Sequence, residues 1–476
     1  MPTTDQPAEQ DPLADAQAGP QNGPGAGDTD MLEGASDGPA AAATSFSRDE
    51  LLKIYYGRLF PFEEFAKWLA YGHDSKHPRA DATFFQRREF CFTLDGDIFI
   101  RYQSFKDKAE LQAAVNSRQP AKIDIGPLYN VPPQRRNAYS GLGSERAFAP
   151  VERELVFDID LTDYDDVRTC GKEGHICQSC WPLMALAIQV LDRGLREDFG
   201  FQHILWVYSG RRGVHAWVCD ARARRLTDEQ RSAIATYFAI YKGQENGVVK
   251  LALTQTLHPS VQRAYTLLEE AWRERILPEQ HLLEDEESWQ GILRYIPDED
   301  VREKLQGRWS SGRQNVEGNI NTFRWLDLAA EVEKARASAQ RSKDFSGAHG
   351  LRRACEEIVF AHAYPRLDME VSKKMNHLLK APFCIHPKTG KVCIPIDPAA
   401  ADEFDVDAVP TTSQLVAELN NAPADRPSKG SDWQYTSMAA PMQSFSSCFL
   451  ESLVASNRAS MNSQVQSAVA APSLAW

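Results

Sequence analysis

The chain has no apolar run near the roughly 20 residues that a membrane-spanning helix requires, and no basic stretch leading into an apolar segment near residue 1. Neither a membrane-spanning nor a secretory reading finds support. Basic residues are missing altogether before Arg48, while eight Asp and Glu fall in that stretch among Gly, Ala and Pro. Such a composition cannot bury enough apolar surface to order itself, so residues 1–45 are expected to form a disordered acidic leader. Cysteine is scarce and odd in number, nine in 476 residues, with three between Cys170 and Cys180 and the others scattered. That pattern speaks against a disulfide framework and for reduced thiols with one metal-binding cluster. An excess of positive charge is also lacking, the formal net charge being -13. Position matters more than the sum: beyond the leader the body is much closer to neutral and carries basic clusters at Arg211-Arg212 and Lys373-Lys374. A soluble intracellular protein is the expectation.

What is present suffices for a large core, with hydrophobic residues at 42% of the chain. The length suggests one large domain with an insertion, or two domains plus tails. Helical spacing begins at Leu51, Leu52, Ile54, Tyr55 and Leu59, and resumes from Phe62 to Leu69 after Pro61. Two alternating runs around Asp95-Gly96, within Arg88 to Tyr102, predict a hairpin. Strands are predicted at Lys122 to Ile125 and Leu155 to Leu161, then a Cys-rich loop and a long apolar helix from about Pro182 to Asp198. His203 to Tyr208 and Val214 to Cys219 read as paired strands joined by Ser209-Gly-Arg-Arg-Gly213. Residues 224–345 read as a charged, almost wholly helical insertion. Strand-like runs return at Phe383 to His386 and Val392 to Ile396, and Phe445, Phe449, Leu450 and Leu453 mark a last amphipathic helix. The expected plan is a mixed α+β catalytic domain over 46–223 and 346–456, interrupted by the insertion and followed by a disordered tail over 457–476.

Three segments carry candidate chemistry. In Leu155-Val-Phe-Asp-Ile-Asp-Leu161, strand periodicity points Asp158 and Asp160 to one face, about 7 Å apart, a spacing suited to gripping a pair of divalent ions. Taken alone, the same pair also describes a polar strand end with capping aspartates. Ser209-Gly-Arg-Arg-Gly-Val-His215 sets two guanidinium groups and an imidazole at a glycine-bounded turn, where the backbone can approach a ligand and Arg can grip phosphate oxygens bidentately. An exposed hairpin with solubilising arginines is the plainer alternative. Tyr364-Pro-Arg-Leu-Asp368 and the following residues to Lys380, with Ala-Pro-Phe-Cys-Ile-His386, offer a third carboxylate, a lysine and an imidazole.

These blocks, in this order, resemble the small catalytic subunit of archaeal and eukaryotic DNA primases, especially the eukaryotic form. The resemblance runs from about Leu51 to Leu453 and includes Ile98-Phe-Ile-Arg-Tyr-Gln-Ser-Phe105, Lys122-Ile-Asp-Ile-Gly126 and Asp158-Ile-Asp-Leu-Thr-Asp-Tyr-Asp-Asp-Val-Arg168. It implies the primase fold, with a sheet-based catalytic lobe, and RNA primer synthesis on single-stranded DNA by two-metal nucleotidyl transfer. By the same carry-over Asp158, Asp160 and Asp368 hold two Mg2+ or Mn2+ ions. Ser209, Arg211, Arg212 and His215 hold the incoming nucleoside triphosphate, Lys380 and His386 assist, and Glu89, Arg101, Lys122 and Asp124 line the family's active cleft. The resemblance further implies a heterodimer with a large iron-sulfur subunit, association with DNA polymerase alpha, and nuclear residence.

Cys170, His175, Cys177 and Cys180 form a Cys-x4-His-x-Cys-x2-Cys set within 168–182, suited to one structural Zn2+. Members of the family often have two adjacent cysteines at its start, whereas Gly171 follows Cys170 here; His175 is the nearest replacement ligand. Two rival functions share the carboxylates: an idle scaffold subunit, and a metal-dependent nuclease. A nuclease has no need of Arg211, Arg212, His215 and Lys380 converging on a triphosphate.

Overall fold

Alternating apolar residues and well-placed turns build two larger antiparallel sheets and a separate two-stranded hairpin, with helices packed around them. The computed structural model describes residues 46–139, 147–245, 248–254, 256–311, 318–423 and 432–470. The acidic leader expected over 1–45 lies outside the described residues. In chain order the strands are β1 (Arg88–Leu94), β2 (Ile98–Gln103), β3 (Lys122–Tyr129), β4 (Pro150–Glu152), β5 (Leu155–Asp160), β6 (Ile204–Tyr208), β7 (Gly213–Val218), β8 (Tyr241–Glu245), β9 (Val248–Leu251), β10 (Leu379–Lys380) and β11 (Pro395–Ile396).

The first sheet has the order β10-β3-β1-β2, with β4 also paired to β3. All its pairings are antiparallel. The predicted hairpin is present as β1 and β2, closed by a tight helical turn over Asp95–Asp97 in which Gly96 has a φ of 72°. The second sheet has the order β11-β6-β7-β5, again antiparallel, which leaves β5 at an edge. Of the strands expected at Phe383 to His386 and Val392 to Ile396, only an isolated bridge between Ile385 and Val392 and the two-residue β11 form.

Helix Trp181–Glu197 starts with Pro182 in its first turn, where a missing N–H costs nothing, and buries Leu183, Met184, Leu186, Ile188 and Leu191. Its Trp181 packs on Tyr208 and Phe404. On the opposite side Trp68, in helix Phe62–Ala70, meets Trp217 of β7 edge-on at 5.4 Å. Phe445 and Phe449 pack on the same tryptophan, as the spacing of the last helix predicts.

Glu154, just before β5, is fully buried between Arg88 of β1 and Arg153, both at 2.9 Å, and accepts a hydrogen bond of 2.6 Å from Tyr71. Burial alone would raise its pKa; the two guanidinium groups and the tyrosine override that and hold the carboxyl far below its ordinary range. The cluster clamps the two sheets together.

The expected insertion is helical, with helices Asp228–Phe238, Pro259–Ala271, Glu286–Leu293, Glu299–Ser310 and Ile320–Arg341, but it also contains the hairpin of β8 and β9. Helix Phe345–Ala363 packs along Ile320–Arg341, so the helical block runs past the expected edge at 345. Leu351, Ala354, Ile358 and Val359 are buried along it. The tail expected to be disordered over 457–476 instead continues helix Glu451–Ala470 as far as it is described; Leu453 and Met461 are buried on one side of it.

Candidate active site

Strand β5 supplies the first carboxylates, and its alternation places them as read from the sequence: Leu155, Phe157 and Ile159 are fully buried, while Asp158 and Asp160 remain partly open. Across the ladder Asp158 faces His215 and Asp160 faces Gly213. The imidazole Nε2 lies 3.5 Å from Asp158 Oδ1. Gly213 is required where it stands, because a Cβ there would lie 2.5 Å from the Ile159 carbonyl oxygen. Asp160 accepts hydrogen bonds from the Thr162 N–H at 2.9 Å and from Arg212 Nε at 2.9 Å.

Because β5 is an edge strand, the Asp158 carbonyl is free to accept from outside the sheet, and the N–H of Asp368 donates to it at 3.1 Å. The backbone of Asp368 is thus tied to β5, and its charge acts on Asp158, although Asp368 is not among the residues lining the cleft described below. Its own side chain caps helix Met369–Lys373 by accepting from the Glu370 N–H at 3.0 Å. Tyr164 and Arg366 fix this return of the chain. The Arg366 N–H donates to the Tyr164 hydroxyl at 3.0 Å, and the Arg366 guanidinium pairs with Asp166 and bonds the Asp163 carbonyl.

The opposing wall comes from the first sheet. Lys380 of β10 faces Asp124 of β3 in register, and Asp124 pairs with Lys122 at 3.0 Å. Lys380 Nζ donates to the Ser209 carbonyl at 2.6 Å, linking this wall to the turn between β6 and β7. That turn is shaped by Gly210 at a φ of 86°, with its carbonyl accepting from Thr389 at 2.7 Å, and by the Tyr208 hydroxyl donating to the Arg211 carbonyl at 2.6 Å. Between the walls lies a cleft of about 370 Å³, lined among others by Asp158, Asp160, Ser209, Arg211, Arg212, His215, Lys122, Asp124, Lys380 and His386.

The charges are arranged by sign. Burial, then the neighbouring Asp160 and Asp368, push the Asp158 carboxyl up to about 7. Burial, then Lys380 and Lys122, hold His215 down at about 3; burial followed by Lys380, Arg211 and Arg212 does the same to His386. Both imidazoles are therefore neutral at pH 7. Burial works against the charge on Lys122, and Asp124 more than offsets it, raising its pKa. His215 Nδ1 is buried without a hydrogen-bond partner.

Glu89 and Arg101 do not line the cleft. Glu89 is fully buried in the first sheet, paired with Arg101 at 3.0 Å and accepting from the Tyr129 hydroxyl at 3.0 Å. Arg101 reaches the Asn376 carbonyl at 3.4 Å, so the pair braces the segment leading to Lys380 from behind.

The thiol sulfurs of Cys170, Cys177 and Cys180 all lie within 4.8 Å of one another, a group able to hold a metal ion. Hydrogen bonding with Cys180, and then with Gln280 and Cys177, lowers the Cys170 thiol pKa against the effect of burial. His175, expected as the fourth ligand, stands outside this trio. Its ring is laid on the backbone of Gly171, where a Cβ would lie 2.3 Å from the imidazole Cδ2. Gln280, from the helical block, donates to Cys170 Sγ at 3.4 Å and to the Ser179 carbonyl at 2.7 Å. Sequence reading misses Gln280, Arg366 and Thr389: each acts through a contact with residues remote in the chain, and no local pattern marks it.

The family model described as DNA primase small subunit matches residues 157–398, which include all three carboxylates, the Arg211-Arg212 turn, Lys380 and His386. The chain is 38% identical to the DNA primase small subunit of Schizosaccharomyces pombe over 82% of this chain and 80% of that protein. It is 40% identical to the Drosophila melanogaster protein of the same name over 78% of this chain and 82% of that one. For the Saccharomyces cerevisiae protein the identity is 36%, over 74% of this chain and 82% of that one. With likeness of this extent on either side of the cleft, the chain belongs to the DNA primase small subunit family.

Proposed function

We propose that the cleft between the two sheets joins ribonucleotides on a single-stranded DNA template by two-metal nucleotidyl transfer, with Asp158, Asp160 and Asp368 as metal ligands. Family membership makes the chain a nucleotidyltransferase that synthesises primers in DNA replication. The single observation that supports the mechanistic reading is the hydrogen bond from the Asp368 N–H to the Asp158 carbonyl, because it ties a residue 210 positions away to the strand that bears Asp158 and Asp160. Burial, and then the charges of Asp160 and Asp368, push the Asp158 pKa up, a state that divalent cations would relieve. Bound Mg2+ or Mn2+ would activate the primer 3′-hydroxyl and neutralise charge at the reacting phosphate.

The rest falls to the chain's own groups. Arg211, Arg212 and Lys380 supply positive charge and directed N–H donors for the triphosphate. His215 and His386, both neutral, offer hydrogen bonds without adding charge. Ser209, Lys122 and Asp124 complete the wall against which nucleotide is held. Arg212 already pairs with Asp160, so triphosphate binding exchanges one anionic partner for another.

The thiol trio suits one structural Zn2+, which soft sulfur ligands at this spacing select. His175 becomes the fourth ligand by turning its ring off Gly171. As partner we propose a large iron-sulfur subunit in a heterodimer, joined in the nucleus to DNA polymerase alpha.

The test is incorporation of labelled ribonucleotide on poly(dT) with the partner subunit present, beside Asp158→Ala. Wild type is expected to extend and the variant to fall at least a thousandfold, a loss of about 4 kcal/mol in transition-state stabilisation. Equal inactivity of the two would end the assignment. Metal-dependent NTP binding that vanishes in Arg211→Ala/Arg212→Ala separates a polymerase from a nuclease.

A further inference from the structure

The guanidinium of Arg211 lies on the backbone of the Cys-rich loop. A Cβ placed on Gly174 would fall 2.0 Å from Arg211 Nη2 and 2.7 Å from its Cζ, so the approach exists only because residue 174 has no side chain. Among the described residues this guanidinium makes no hydrogen bond or ion pair of its own, although Arg212 next to it pairs with Asp160. Contact with the loop is what fixes its direction.

The loop is held firmly at this point. Arg168, almost fully buried, donates to the carbonyls of both neighbours of Gly174: to His175 at 2.7 Å and to Glu173 at 3.3 Å. Arg168 is itself held by Asp165 at 2.6 Å, and Asp165 also accepts from the Glu173 N–H at 2.9 Å. Asp165 closes the turn that follows directly on β5, so the clamp ties the loop to the strand bearing Asp158 and Asp160. From the other end, the thiol trio and Gln280 hold Cys170, Cys177 and Cys180 together.

We infer that the Cys-rich loop is a wall of the triphosphate site, with Gly174 as a positioning residue that aims Arg211 into the cleft. The metal cluster then bears on nucleotide affinity through a short rigid path: thiols, loop backbone, guanidinium, phosphate. The inference rests on the reading of Arg211 as a triphosphate ligand.

A double-mutant cycle tests it, with equilibrium binding of labelled ATP in the presence of Mn2+ to the two-subunit complex carrying wild type, Gly174→Val, Arg211→Ala or both. Gly174→Val is expected to weaken ATP about tenfold and to raise the ATP KM by a similar factor while kcat stays within about twofold. In the Arg211→Ala background the same substitution is expected to change nothing further. Wild-type affinity in Gly174→Val overturns the inference, as does an equal loss in both backgrounds, which marks general damage to the loop. Zinc per chain, read with a chelating dye, is expected to be unchanged, and Gly174→Ala serves as the milder variant if valine lowers it. Should Arg211→Ala alone leave ATP binding intact, the reading of Arg211 fails and takes the inference with it; intact binding in Gly174→Val with a weakened Arg211→Ala removes only the inference.

Discussion

Arg212 shows how much depends on single side chains here. Its Nε sits 2.8–2.9 Å from both oxygens of Asp160, which orients the guanidinium plane. A lysine offers a point charge without that plane. Arg212→Lys is expected to lower kcat/KM for ribonucleotide about tenfold, and Arg212→Ala about a hundredfold or more, in steady-state extension assays. Equal losses in the two would mean that the charge alone contributes nothing, and wild-type activity in Arg212→Lys would mean that charge alone matters. Asp158 and Asp160 are legible in the sequence because strand alternation is a strict rule, and Asp368 because its block resembles the family's. His175 shows where residue-level reading stops: spacing nominates it, but spacing does not reveal that its ring rests on Gly171. Glu89 and Arg101 teach the same lesson, since a motif says that residues belong near a cleft and not whether they face it.

Among the elements, β5 depends on the ion cluster around Glu154. Replacing this carboxylate by glutamine leaves Arg88 and Arg153 buried with no counter-charge, and breaking a buried pair from one side costs about 3–5 kcal/mol. Glu154→Gln is therefore expected to shift the denaturant midpoint strongly, with the slope of the transition unchanged. Gly213→Ala should cost about 1–3 kcal/mol by the same measurement, because its methyl group has nowhere to go against the Ile159 carbonyl. The first hairpin, the paired strands of the arginine turn and the long apolar helix are readable because each has a clean period and a glycine or proline at its boundary. The β8–β9 hairpin is not read, although Asn246-Gly247 is a strong turn signal in the sequence. Its strands are four or five residues long and carry charge, so they merge into the helical pattern on either side. The two-residue β10 and β11 lie below what periodicity can resolve.

Over the whole molecule, buried imidazoles set the response to acid. His362 is enclosed by Trp272 and Tyr295, with its Nδ1–H donating to the Ile358 carbonyl at 2.7 Å. Burial holds its pKa at about 4, with His215 and His386 at about 3. Each folded value lies below the unfolded value near 6.5, so the unfolded chain takes up protons first. The stability that these groups contribute is complete above about pH 6.5 and is lost as pH falls toward 4, by up to about 3 kcal/mol for His362 alone. Urea midpoints measured between pH 7 and pH 4 are expected to fall, and His362→Phe should flatten that fall; an unchanged slope would sink the idea. The overall plan of a mixed fold with a helical block is legible because long segments differ in period. The block's true edge at Ala363 is not, because helix Phe345–Ala363 is amphipathic like those before it and only packing shows which group it joins.

Docking Asp368 on the free edge of β5 has a consequence for synthesis on the ribosome. Asp158 and Asp368 are separated by 210 residues, and at about 5–20 residues per second the ribosome needs about 10–40 s to cross that interval. Throughout it the nascent chain has Asp158 and Asp160 without Asp368 tied to their strand and without Lys380 in the opposing wall. The cleft is thus incomplete until translation has cleared the entire helical block.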